Sequence, residues 1–133
     1  IGGLVAITAG PDIQNHAYAI LIGGIGGALV VVAVPLIDKM GIDDVVGAIS
    51  AHLVSGIWGT LAVGIFGPGS IVTQFIGIVA IGTFVFATSL IVWLILKATI
   101  GIRVDEEEEM SGLDKSELGM EAYPEFGRGS QIS

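Results

Sequence analysis

Three long stretches of this chain carry no charged side chain: Ala17–Ile37, Val45–Phe66 and Ile71–Leu96, of 21, 22 and 26 residues. A bilayer's hydrocarbon core is about 30 Å thick, and a helix rising about 1.5 Å per residue crosses it in roughly 20 residues. Each stretch is therefore long enough to span, and the third is long enough to tilt or to enter the interface. None has the charged face of an amphipathic surface helix. Hydrocarbon offers no partner to backbone N–H and C=O groups, and a helix satisfies them locally. The fold class predicted is an all-α membrane protein, with spans at about 17–37, 45–66 and 71–96.

The placement of charge agrees. Only 14% of the residues are charged, against about 25% in a soluble domain. Residues 1–100 carry a net charge of −2 and residues 101–133 a net charge of −6. An apolar block followed by an acidic extension predicts a transmembrane segment over 1–100 and a solvated C-terminal tail over 101–133. No basic patch is available to neutralise phosphates, so a nucleic-acid partner is excluded. The absence of cysteine excludes disulfide scaffolds and thiolate metal sites. The opening Ile1-Gly2-Gly3-Leu4-Val5-Ala6-Ile7 lacks the basic start of a signal peptide. It is expected to be the end of an upstream helix, so that the chain forms the C-terminal part of something longer.

Short connections make the three helices antiparallel neighbours. Once the spans alternate, Lys39, Lys97, Arg103, Lys115 and Arg128 fall on one side of the membrane, and the other side has no Lys or Arg. The positive-inside bias then places the 38–44 loop and the tail in the cytoplasm, across an inner (plasma) membrane. Asp43 and Asp44 stand where the second span needs an N-cap, and their charge suits the positive end of its dipole. Gly23, Gly24, Gly26 and Gly27 cluster in the first span. Gly23 and Gly27 form a GxxxG pair that lets helix backbones approach closely. A phosphate-binding loop fits poorly, because the cluster lies mid-span with no strand before it. Trp58, deep in its run, is expected to face protein rather than an interface.

His52 is the residue with chemistry. Eight residues into the second run, it sits roughly 5 Å from the span's centre by the helical rise. An ionisable side chain at that depth is costly and generally faces a bundle interior or a pathway. Ala48, Ser55, Gly56 and Gly59 are expected on or beside the same helical face, leaving room for a narrow lumen or a closely packed helix. A neutral imidazole that only bonds across two helices would fit the same sequence. His16 is expected in the solvated connection before the first span, too far from His52 to share a metal. No metal site, no cofactor site and no catalytic triad is legible, and enzyme activity is not expected.

The stretch Ile42-Asp43-Asp44-Val45-Val46-Gly47-Ala48-Ile49-Ser50-Ala51-His52-Leu53-Val54-Ser55-Gly56-Ile57-Trp58-Gly59-Thr60 resembles the Asp-Asp…His…Gly-Ile-x-Gly signature of the Amt/Mep ammonium transporters, the bacterial type in particular. Gly3–Thr8 resembles the end of the preceding helix in that family. Gly101-Ile102-Arg103-Val104, the following acids, Gly112-Leu113-Asp114, Gly119 and Ala122-Tyr123 resemble its cytoplasmic tail.

The resemblance implies the last helices of an eleven-helix fold, assembled as a homotrimer with a pore in each subunit. It makes His52 the second of twin pore histidines. Ammonium would lose its proton at the entrance, and ammonia would cross a His-lined apolar pore. It also implies that Gly112, Leu113, Asp114, Gly119 and Tyr123 belong to a regulatory tail near the docking place of a PII-type signal protein. Gly47 and Leu118 replace residues that are often acidic and His in the family. An ammonium-sensing membrane protein with the same fold, or a non-conducting helical subunit, are the alternatives.

Overall fold

The computed structural model describes residues 1–123. The final part of the expected tail, including the stretch Gly127–Ser133 for which composition suggests disorder, lies outside the described residues. Six α-helices and one π-helical stretch follow in order: α1 (Gly2–Thr8), α2 (His16–Lys39), the π-helix Ala48–Val54, α3 (Ser55–Phe66), α4 (Ile71–Thr99), α5 (Glu106–Ser111) and α6 (Leu113–Leu118). α2, the π-helix with α3, and α4 are each long and apolar enough to cross a membrane. The all-helical, multi-spanning class read from the sequence is the class observed.

The ends of the spans differ from the apolar runs for identifiable reasons. The side chain of Asn15 accepts the N–H of Ala17 at 3.0 Å, so α2 starts one residue early. His16 is its first residue, exposed, rather than part of the preceding connection. At the other end Asp38 and Lys39 are absorbed into the last turn. Gly41, at φ +72°, then reverses the chain, and the N–H groups of Gly41 and Ile42 close on the carbonyls of Asp38 and Ile37. The second span starts later than expected, at Ala48 rather than Val45. Gly47 is left-handed at φ +70° and cannot be part of the helix. α4 runs three residues past Leu96 to Thr99 and is about 44 Å long by its helical rise.

The chain divides into two units at Ala87 and Thr88, within α4. In the first, α1 lies against both α2 and α3. The buried centre is small: Ala6, Ile22 and Ala62, with Ile7, Ile13, Trp58 and Phe66 packed around it. Backbone proximity holds it together. A Cβ on Gly59 would collide with the carbonyl of Ala6, and one on Gly26 would reach the Ala6 methyl at 2.6 Å. A Cβ on Gly3 would meet the carbonyl of Gly23 at 2.7 Å, whereas Gly24 and Gly27 have open space around them. The contact ridge on α2 is thus Gly23 and Gly26, three residues apart, and not the expected GxxxG pair of Gly23 and Gly27. Van der Waals packing of such bare backbones is a main source of helix association in lipid.

Two polar ties register α3 on α2. Trp58 Nε1 donates to the carbonyl of Ile22 at 3.0 Å, and the fully buried Ser55 hydroxyl donates to that of Gly26 at 3.2 Å. Trp58 faces protein, as its depth in the run suggested. In the second unit α5 and α6 are short and exposed, and Gly112 at φ +100° turns the chain between them.

Gly59→Ala is expected to destabilise the protein by about 1–3 kcal/mol, the usual cost of overpacking, because the atom it meets is backbone. Gly24→Ala, in open space, is expected to stay within about 0.5 kcal/mol of the native protein. Thermal melts of the two variants in detergent check the pair.

Candidate functional site

The site is built from the loop before α3. Asp44 reaches forward: its Oδ1 accepts the N–H of Ile49 at 3.0 Å, and its Oδ2 accepts the N–H and the hydroxyl of Ser50, both at 2.8 Å. These are N–H groups of a helix's first turn, which have no partner within the helix. Asp44 satisfies them from outside, while the residue at the cap position itself is Gly47. Asp43 makes no such bond among the described residues. The Ser50 and Ile49 amides, helped by the Ser50 hydroxyl, hold the Asp44 carboxyl below its ordinary range against a smaller opposing effect of burial.

The helix that follows is not α-helical at first. The carbonyl of Gly47 accepts the N–H of Ala51 at 2.9 Å and that of His52 at 3.2 Å, the second being an i→i+5 bond. His52 Nδ1 lies 3.1 Å from the same carbonyl oxygen. His52 therefore sits near the beginning of the helix, closer to its end than a count from Val45 suggests.

His52 lines an apolar groove of about 400 Å³ whose walls are the π-helix and α3 on one side and α4 on the other. Leu53, Gly56, Ile57 and Thr60 continue the first wall, and Gln74, Gly77, Ile78 and Ile81 form the second. Thr60 turns its hydroxyl back to the carbonyl of Gly56 at 2.8 Å, so polar atoms are few. Of the four residues expected on or beside the face of His52, Gly56 alone lines the groove, and Gly59 packs against the backbone of Ala6 instead. Ala48 is exposed at the helix start and contributes nothing to the wall. Ser55 points away, fully buried on α2. The physical reason is the π turn: each of its residues rotates by less than the 100° of an α-helix. Ser55 thus falls behind the face of His52 and turns toward α2.

The opposite wall on α4 was not legible, because Gln74 and Gly77 carry no individual signal. The left-handed Gly47 and the six-residue reach from Asp44 to Ser50 do leave a trace, in the pairing of a carboxylate with a downstream Ser across a Gly.

A larger hollow, of about 500 Å³, lies between Arg103, Glu106, Glu109 and Met110. Its Arg103–Glu109 pair at 3.1 Å is exposed and contributes little to stability. The tail residues singled out earlier occupy one folded-back turn. Asp114 accepts the N–H of Ala122 at 2.8 Å and that of Lys115 at 3.0 Å. The Ala122 amide is the main reason that its carboxyl is held low. Gly119, at φ +67°, ends α6 and lets the chain return. Gly112 opens the turn, while Leu113 and Tyr123 are exposed on it. Among the described residues no group of three or more His, Cys, Asp or Glu could hold a metal ion.

Three helices long and apolar enough to cross a membrane, joined by short connections, define a multi-pass membrane protein. Residues 1–123 match the Ammonium Transporter Family, and the chain belongs to that family of transporters, which are not enzymes. It is 37% identical to ammonium transporter Amt2 of Archaeoglobus fulgidus, with 95% of this chain and 31% of the relative covered. It is 36% identical to ammonium transporter Amt1 of Haloferax mediterranei, covering 95% and 26%. A putative ammonium transporter of Synechocystis is 38% identical, covering 90% and 28%. The chain thus spans between a quarter and a third of the length of these relatives. No solved structure matches it.

A carboxylate with a depressed pKa stabilises the fold above its unfolded pKa, and this contribution is lost as pH falls through the lower folded value. Asp44→Asn is therefore expected to be less stable than the native protein at neutral pH. The difference should shrink below about pH 4, where an ordinary Asp titrates. Melting temperatures of the two proteins across that range check the sign.

Proposed function

We propose that this chain supplies part of the conducting path of an ammonium transporter, with His52 as a pore-lining group. The observation that carries the proposal is the position of His52 on an otherwise apolar groove rather than in a helix–helix contact. A cation stripped of water meets a large barrier in such surroundings, and a small neutral molecule does not. Ammonium that leaves its proton at an entrance can cross as ammonia. An imidazole can accept, hold or return a proton near neutral pH.

Around this core stand the coarser expectations of the sequence. The complete protein assembles as a homotrimer in the inner membrane, with the 38–44 loop and the tail at 101–133 in the cytoplasm. The turn from Gly112 to Tyr123 is a regulatory element near the docking place of a PII-type signal protein. The clustering of basic residues on one side supports the orientation. The closed turn around Asp114 supports a tail segment with its own shape.

In the protein expressed from its complete reading frame, His52→Ala is expected to change methylammonium uptake, or its discrimination against potassium, by about tenfold or more, equivalent to about 1.4 kcal/mol. Assembly should be unchanged. Reduced assembly with unchanged activity per assembled protein would make His52 a packing residue and overturn the proposal.

A further inference from the structure

We infer that the hollow between the start of α2 and the end of α3 is a binding site for a small alkylated ammonium cation, of the choline type. It lies at the end of α3 remote from His52 and does not rest on the pore assignment above.

The hollow encloses about 280 Å³ and is lined by Asp12, Ile13, Asn15, Tyr18, Phe66 and Pro68, among others. Small-molecule sites begin at about 300 Å³, so it suits a small ligand. Its floor is fixed from below. Ile13 and Phe66 pack on the buried centre of Ala6, Ile22 and Ala62, and Tyr18 stands in the first turn of α2. The Tyr18 and Phe66 rings form a tilted pair, with centroids 5.1 Å apart and planes at 42°. That spacing is one at which aromatic rings attract each other.

The charge around the hollow selects a cation. Asp12 is the only charged side chain in the lining, and its carboxylate has no hydrogen bond or ion pair among the described residues. Neither flanking connection, 9–16 or 67–70, contains a Lys or Arg. The amides at a helix start would otherwise attract an anion, but those of α2 are already bonded. Ala17 donates to the Asn15 side chain, and Tyr18 and Ala19 donate to the Asn15 carbonyl. α3 ends here with the negative pole of its dipole. The faces of Tyr and Phe rings attract cations as well.

Size and hydration then choose among cations. A divalent metal ion needs several oxygen ligands, and no group of three or more metal-ligating side chains exists among the described residues. At about 30 Å³ per water, the hollow has room for a small inorganic ion only with its hydration shell in place, which keeps that ion off the rings. An ammonium carrying methyl groups holds water weakly. It can lay its methyls on the ring carbons while its charge stays beside the Asp12 carboxylate.

The test is carbon NMR of the complete protein in lipid, labelled at the tyrosine rings, with the Tyr18 signals assigned by their loss in Tyr18→Phe. Choline should shift these signals saturably, in the millimolar range. Its uncharged analogue 3,3-dimethylbutanol should not, and neither should potassium chloride at the same concentration. Asp12→Asn, an exposed change that leaves the packing intact, should weaken the choline response about threefold, in line with the loss of an exposed charge pair. Phe66→Leu, which keeps an apolar side chain on the floor, should weaken it by a similar factor through the lost ring. An equal shift by the uncharged analogue would make the hollow an apolar crevice without charge recognition and overturn the inference. So would the absence of a saturable choline shift, or a response unchanged in Asp12→Asn. Uptake is not the readout, so failure of the pore proposal is distinguishable from failure of this one.

Discussion

Hydrocarbon has no hydrogen-bonding capacity, so every polar atom that a chain takes into it must find a partner within the protein. The described residues meet this condition: no buried side-chain nitrogen or oxygen lacks a partner. The helices satisfy their own backbones, and the remaining polar side chains are matched locally. Thr60 and Thr99 bond to carbonyls one turn back in their own helices. Ser55 and Trp58 bond to carbonyls of α2. At the break before the second span, where helical bonding cannot continue, Asp44 supplies the missing acceptors from outside. An irregular backbone at the edge of a membrane thereby becomes a defined turn.

This condition also sorts the helices. α1, α2 and α3 touch through Gly, Ala and Ser, and apart from Ile22 and Ile37 their buried residues are small. α4 is the opposite: 29 residues, none of them buried, apolar on every side. A helix of that kind suits lipid or the surfaces of other helices. The groove that His52 lines is formed between these two types of surface. Its first wall is fixed by the close packing behind it. Its second wall is a helix whose small residues there, Gly77 and Gly82, leave the space open.

The spans could be read from the sequence because length without charge is a strong signal, and the membrane allows few structures that fulfil it. The acid before the second span could be read from its place at a helix start, and the histidine within the run from the cost of an ionisable group there. The exact bounds could not. They depend on Asn15, Gly41 and Gly47, whose effect is a matter of dihedral angles and single hydrogen bonds. The face of His52 was misjudged for the same reason: a helical wheel assumes one rotation per residue, and the π-helix breaks that assumption between Ala48 and Val54. Gly23 was correctly placed in a packing surface but paired with the wrong partner, because a GxxxG motif does not say which small residues the neighbouring helix will cross.

The two ties between α3 and α2 constrain how the protein can move. Ile22 and Gly26 are one helical turn apart, and the donors Trp58 and Ser55 are spaced to match. Sliding α3 along α2 by one turn would displace each donor by about 5.4 Å and break both bonds in a medium that offers no replacement. Shear between packed helices, a common form of conformational change, is therefore closed to this pair. Any movement that opens or narrows the groove has to carry α2 and α3 as one body, or has to come from the side of α4.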